Sequence, residues 1–329
     1  MLLNQIRDPL IVKTELQLKN HRNGNVPNGE AVLVSTPDGL RLRVGTWGDK
    51  STKHGTVIIF PGRSEYLERF GGTVSAMLNA RFSVISVDWR GHGLSDRVAD
   101  DPKSCHIDDF ASYQSDVAAL IEFADFKKLP RPWYLFGNSM GGCIGLRALA
   151  NNLPVAAAVF TAPLWGVQMS QLIRSIAVPT TRLAMALGRP QSYVPGYDGR
   201  SYVLKTPFSG NKVTNDEARY SYLVSLAKTN PELEIGGPTL GWLYQCLEEC
   251  KSLSRLPSPE IPCLAFYGDQ DVVVDIGAIE RRMESWTRGR CELVKNARHE
   301  LAMEVPSIRN GVLDKAANFF GMARTQLNL

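Results

Sequence analysis

Serine 139 lies in the run Gly137-Asn138-Ser139-Met140-Gly141, a G-x-S-x-G pattern. The apolar stretch WYLF before it predicts a strand, and SMGGCIGLRALAN predicts a helix packed directly against that strand. A strand–turn–helix context of this kind presents a serine hydroxyl at the carboxyl edge of a sheet. The turn is tight and strained, so the positions two residues away on each side must lack side chains. The expectation is a nucleophilic serine.

An alcohol is a poor nucleophile without a base. The chain offers five histidines, at 21, 54, 92, 106 and 299. His21 lies in a polar arm, His54 in a charged turn before a strand, and His106 before a helix, where it caps the helix or faces solvent. His92, in DWRGHGLSD, is expected to bond loop backbone. His299, in NARHEL, follows the strand CELV and alone fits the order serine, acid, histidine. The acid that orients the imidazole belongs after the strand CLAFYG, where GDQDVVVD supplies Asp269, Asp271 and Asp275. Asp271 is favoured; Asp269 is expected to shape the turn and Asp275 to cap the following helix. An oxyanion hole requires main-chain donors. The N–H of Met140 is one candidate, and the N–H of Arg63, in the loop after TVIIF, is the other. The Arg63 and Glu65 side chains are read as touching substrate, as supporting the residues that do, or as a surface ion pair.

These residues need a sheet to converge. AVLVSTPDGLRLRVGTW predicts a hairpin; TVIIF, FSVISV, WYLFG, VAAAVFTAP, CLAFYG and CELV predict further strands. Helices are expected at about 64–78, 108–126, 139–151, 277–287 and 306–322. Such alternation implies a mostly parallel sheet with helices on both faces. Between Pro163 and Leu253 the rhythm gives way to helical pieces (QLIRSIAV, TRLAMAL, DEARYSYLVSLAK, LGWLYQCLEECKSL) separated by Pro/Gly-rich loops. A connection far beyond the usual ~4–6 residues is read as a helical cap over the edge where such sheets bind ligands. The expected organisation is an N-terminal arm at 1–30, a core at 31–162 and 254–329, and a cap at 163–253. Apolar cap residues Trp165, Met169, Ile173, Ile176, Leu183, Met185 and Leu187 are candidates for an acyl tunnel.

Composition narrows the function. The 329 residues are 44% hydrophobic and 21% charged, which suits a globular chain rather than a disordered one. Net charge is +4 and no basic run exceeds two residues, so no nucleic-acid partner is expected, while weak attraction to an anionic lipid surface stays open. The six cysteines form no C-x-x-C pair and are read as reduced and mostly buried. No signal-peptide core or span of ~20 apolar residues is seen, so a cytoplasmic location is expected. No metal or cofactor motif occurs, so none is expected.

Taken in order, FPGRSEY, DWRGHGLSD, GNSMGG, GDQDVVV and RHE resemble the α/β-hydrolase fold, and within it the lysophospholipase L2-like and monoacylglycerol lipase-like serine hydrolases. The segment NPELEIGGPTLGWL resembles the lysophospholipase L2-like group in particular. The resemblance spans roughly 30–325. It implies hydrolysis of the carboxylic ester of a single-acyl lipid, lysophospholipid or monoacylglycerol, through an acyl-enzyme. One departure weakens transfer of monoacylglycerol specificity: that pattern opens its oxyanion loop with His-Gly, where this chain has Pro61-Gly62. Two rival readings are a proline-iminopeptidase-type enzyme, with Glu232, Glu234, Glu248 or Glu249 holding a substrate amine, and a non-catalytic binding module on the same scaffold.

Overall fold

The computed structural model describes residues 11–12, 26–48 and 52–326. Among these described residues nine strands form one sheet: β1 (Ile11–Val12), β2 (Glu30–Ser35), β3 (Arg41–Trp47), β4 (Thr56–Phe60), β5 (Ser83–Val87), β6 (Trp133–Asn138), β7 (Ala157–Thr161), β8 (Cys263–Gly268) and β9 (Gly289–Val294). Their order is β1-β2-β3-β5-β4-β6-β7-β8-β9. Pairing is antiparallel from β1 through β3 to β5 and parallel from β5 to β9. This is the α/β-hydrolase architecture. Ile11–Val12, within the expected arm, adds a short edge strand paired to Leu33–Val34. The rest of the arm up to residue 25, including His21, lies outside the described residues.

The helices are α1 (Gly71–Asn79), α2 (Ser112–Phe126), α3 (Met140–Ala150), α4 (Gln171–Ala186), α5 (Tyr202–Lys205), α6 (Glu217–Thr229), α7 (Leu240–Leu253), α8 (Ile276–Glu284) and α9 (Pro306–Gln326). Strand alternation builds two cores, because successive side chains leave a strand on opposite faces. In β4, Val57 and Ile59 join Val74 of α1 and Phe320 of α9, whereas Ile58 and Phe60 join Tyr113 of α2 and Ile144 of α3. All of these are at most 4% exposed, and full burial of each aliphatic side chain is worth roughly 1.5–3 kcal/mol.

Two helices differ from expectation. The helix placed at 64–78 begins as a 3-10 turn at Leu67–Phe70, and α1 starts only at Gly71. Residues 64–66 are held instead in the loop that Glu65 ties to the Gly62 N–H. QLIRSIAV and TRLAMAL, read as separate pieces, form the single helix α4, with Pro179 inside it. Pro179 is exposed, so water can satisfy the carbonyl that lacks its helical donor.

Candidate active site

The carboxyl ends of β4, β6, β8 and β9 bring the chemistry to one rim. Ser139 sits between β6 and α3 at φ 49° and ψ −116°, a left-handed conformation strained for any residue with a Cβ. The turn survives because its surroundings fix it. The Ser139 N–H donates to Thr161 O (3.0 Å), and Ser139 O accepts from Gly142 N (2.8 Å) and Leu164 N (2.9 Å). A Cβ at Gly141 would lie 1.9 Å from Phe60 O, so α3 can begin this close to the end of β4 only with glycine there.

Three predicted side chains meet here. His299 Nε2 is 2.8 Å from Ser139 Oγ, and His299 Nδ1 is 2.7 Å from Asp271 Oδ2. The other Asp271 oxygen accepts from the N–H groups of Val273 (2.7 Å) and Val274 (3.2 Å). With Nδ1 protonated, the ring presents its Nε2 lone pair to the serine hydroxyl. Burial by itself pushes the imidazole down. The Asp271 charge and hydrogen bond, backed by Glu300, outweigh it and hold His299 above its ordinary value. Burial also pushes Asp271 up, yet His299 and the two main-chain donors bring it below the usual carboxylate range.

The loop after β4 lies against the nucleophile: a Cβ built on Gly62 would stand 3.1 Å from Ser139 Cβ. Among the described residues the next N–H, that of Arg63, donates to no protein acceptor. Met140 N–H is the first of α3, where helix donors lack intrahelical partners.

The remaining candidates lie elsewhere. Asp269 accepts from Ala297 N (3.3 Å) and Asp275 caps α8 through Ala278 N (3.2 Å). His92 bonds Arg90 O (3.0 Å), and burial pushes its imidazole down to about 4. His54 bonds Ala80 O (2.9 Å). His106 neither caps a helix nor faces solvent; it is buried between Thr239 Oγ1 (2.7 Å) and Asp108 Oδ1 (3.0 Å). Of the acyl-tunnel candidates, Ile173, Ile176, Leu183 and Leu187 are exposed on α4 and so line no enclosed tunnel. The buried side of α4, Thr181 and Ala184, is small and polar or small and apolar, and so gave a weak signal.

Of the buried polar frame around the triad, the sequence offered Glu65 as a supporting residue but gave no reading of Asn138, Glu300 or Glu304. Glu65 is not in a surface ion pair. It is 3% exposed, and its carboxylate accepts from Gly62 N and from Asn138 Nδ2 (2.9 Å), bracing the β4 loop against the serine turn. The Asn138 amide also donates to Glu300 (3.2 Å), and its oxygen accepts from Thr161 Oγ1 (2.8 Å). Burial, then the Glu300 charge, pushes Glu65 up to about 8 despite Arg69 nearby. The histidine loop is held from the 211–215 segment: Glu300 N donates to Val213 O (2.7 Å), and Arg298 Nη1 to Asn211 O (2.8 Å). Buried Glu304 accepts from Arg298 N (2.7 Å) and Asn215 N (3.0 Å). The usable signal was a pair of glutamates inside motifs otherwise explained by backbone.

A family model described as serine aminopeptidase, S33, matches residues 51–306. The chain belongs to that family. It is 29% identical over 266 residues to a probable lysophospholipase L2 of Haemophilus influenzae, covering 80% of this chain and 82% of that one. It is 28% identical over 282 residues to lysophospholipase L2 of Escherichia coli, covering 80% and 79%. Its fold matches that of a soluble variant of monoglyceride lipase from Saccharomyces cerevisiae in complex with a substrate analog, with a TM-score of 0.71 at 16% identity over 94% of this chain and 99% of that one. Among the described residues of this family member, no group of His, Cys, Asp and Glu has the makings of a metal site, and no helix is long and apolar enough to cross a membrane.

Proposed function

We propose that the protein is a serine hydrolase that cleaves the carboxylic ester of a single-acyl lipid, a lysophospholipid or a monoacylglycerol. The observation that carries the reading is the Ser139 hydroxyl 2.8 Å from an imidazole that Asp271 orients, on a strained turn at the sheet edge. Ser139 Oγ attacks the acyl carbon while His299 Nε2 takes its proton. The Arg63 and Met140 amides stabilise the oxyanion, each such donor being worth about a hundredfold to a thousandfold in rate. His299 then protonates the leaving alcohol and afterwards deprotonates the water that frees the acid. Segment 163–253 acts as a cap over this rim, and the apolar outer face of α4 rests on the lipid surface from which substrate is drawn.

The similarity to lysophospholipases L2 supports the ester substrate. An aminopeptidase would need a cap carboxylate for the substrate amine. Glu234 is engaged by Tyr66 and Ser201, Glu248 by Arg182, and Glu249 by Arg147. The deciding experiment is labelling by a fluorophosphonate, run beside a panel of aryl ester, monoacylglycerol, lysophosphatidylcholine and a prolyl amide. Labelling and lipid-ester hydrolysis are expected, both lost in Ser139→Ala. Absence of labelling in folded protein points to a binding module, and release of proline without ester cleavage to a peptidase.

A further inference from the structure

A cavity of about 160 Å³ opens between the β4 loop and the 196–206 and 236–237 segments. Three cations border it, Arg63, Arg200 and Lys205, with Tyr197 and Tyr202 beside them and Asp198 as the one carboxylate in the wall. Three positive charges against one negative leave it cationic. Asp198 accepts from Arg200 Nη2 (2.6 Å) and Lys205 Nζ (3.3 Å), so it fixes where both cations stand. The wall is a fitted part of the fold. Gly237 N donates to Asp198 O (2.8 Å), Cys105 N donates to Gly237 O (3.0 Å), and a Cβ at Gly237 would fall 2.3 Å from Tyr197 Cβ. Gly236 and Gly237 belong to NPELEIGGPTLGWL, a segment the hydrolytic chemistry does not use.

Arg63 links this cavity to the nucleophile. It follows Gly62, which lies on Ser139, and its guanidinium stands 5.7 Å from the Trp242 ring centroid. One residue therefore offers a main-chain N–H toward the acyl carbonyl and a cation one side-chain length away. In a glycerol-based lysophospholipid, a three-carbon unit separates the ester from the phosphate. Guanidinium groups suit phosphate oxygens through paired, charge-assisted hydrogen bonds.

We propose that this cavity receives the phosphate of a lysophospholipid, so that the protein prefers a phosphate-bearing single-acyl lipid to a neutral monoacylglycerol. The proposal rests on the ester-hydrolase reading above. Its test compares kcat/KM for short-chain lysophosphatidylglycerol and the monoacylglycerol of the same acyl chain, both below their micelle concentrations, so that vesicle charge plays no part. Wild type is expected to favour the phospholipid, and Arg200→Ala with Lys205→Ala to lower that preference about tenfold, mainly through KM. Arg200→Lys, with Lys205 intact, should keep most of it. An unchanged ratio in a double variant that melts like wild type overturns the phosphate site. Failure of wild type to cleave either ester overturns the hydrolase reading instead.

Discussion

Two ionisable side chains bound the working pH of the proposed triad. The base acts only when neutral, and Asp271 holds His299 above the ordinary imidazole value of ~6.5. A raised value keeps the proton on to higher pH, so kcat/KM should fall as pH drops through a point above that value. Asp271→Asn should move this acid limb downward and lower kcat by about ten-thousandfold. Glu65 is pushed up to about 8, so it is neutral below that pH and ionised above it. A new negative charge next to Gly62 opposes an oxyanion forming beside it. An alkaline limb near 8 is therefore expected, absent in Glu65→Gln, whose amide stands in for the protonated acid. A pH profile of kcat/KM for the three proteins checks both limbs; a flat profile from 5 to 10 in stable wild type refutes the assignment.

The strand–turn–helix unit β6–Ser139–α3 acts as one element whose tolerance is set by contact with β4. A methyl group at position 141 would meet Phe60 O at 1.9 Å, and main chain cannot yield as a side-chain tip can. Gly141→Ala should cost on the order of 3 kcal/mol, the upper range for overpacking, and loosen the serine turn. The measure is a denaturant melt with labelling rate; a variant as stable and as reactive as wild type shows that β4 and α3 shift apart easily. α4 is the contrasting case. It packs against α7, buries Thr181 and Ala184, and leaves Leu172, Ile173, Ile176, Leu183 and Leu187 exposed.

Across the whole molecule, that outer face is an unusual concentration of exposed apolar surface. Leu172 is 72% exposed and Leu187 64%, with Arg174, Arg182 and Arg189 interspersed. An apolar face edged by cations suits the interface of an anionic bilayer. Co-sedimentation with phosphatidylglycerol vesicles is expected, weakened about tenfold in Leu172→Ser/Ile176→Ser/Leu183→Ser. Equal sedimentation of the two proteins would detach α4 from the lipid surface. At this same scale the sheet is pinned by a buried ion cluster: Arg43 on β3 bonds Asp88 (2.7 Å) and Glu68 (2.8 and 2.7 Å), and Asp88 in turn accepts from Leu67 N and Leu94 N. The loops around the site thus share one framework.

The chain's local pattern was enough to determine the sheet rhythm and the serine turn, since period-two apolar runs, a glycine on each side of Ser139 and turn chemistry are properties of neighbouring residues. It also picked out Asp271 and His299, because each lies just past an apolar strand and their order in the chain limits the choices. Only the tertiary structure decided which faces α4 hides, why Glu65 is buried rather than ion-paired at the surface, and how His106 comes to face Thr239, 133 residues away. Those outcomes depend on partners distant in sequence. A side chain's burial and charge are settled by what packs against it, and residue type alone does not carry that information.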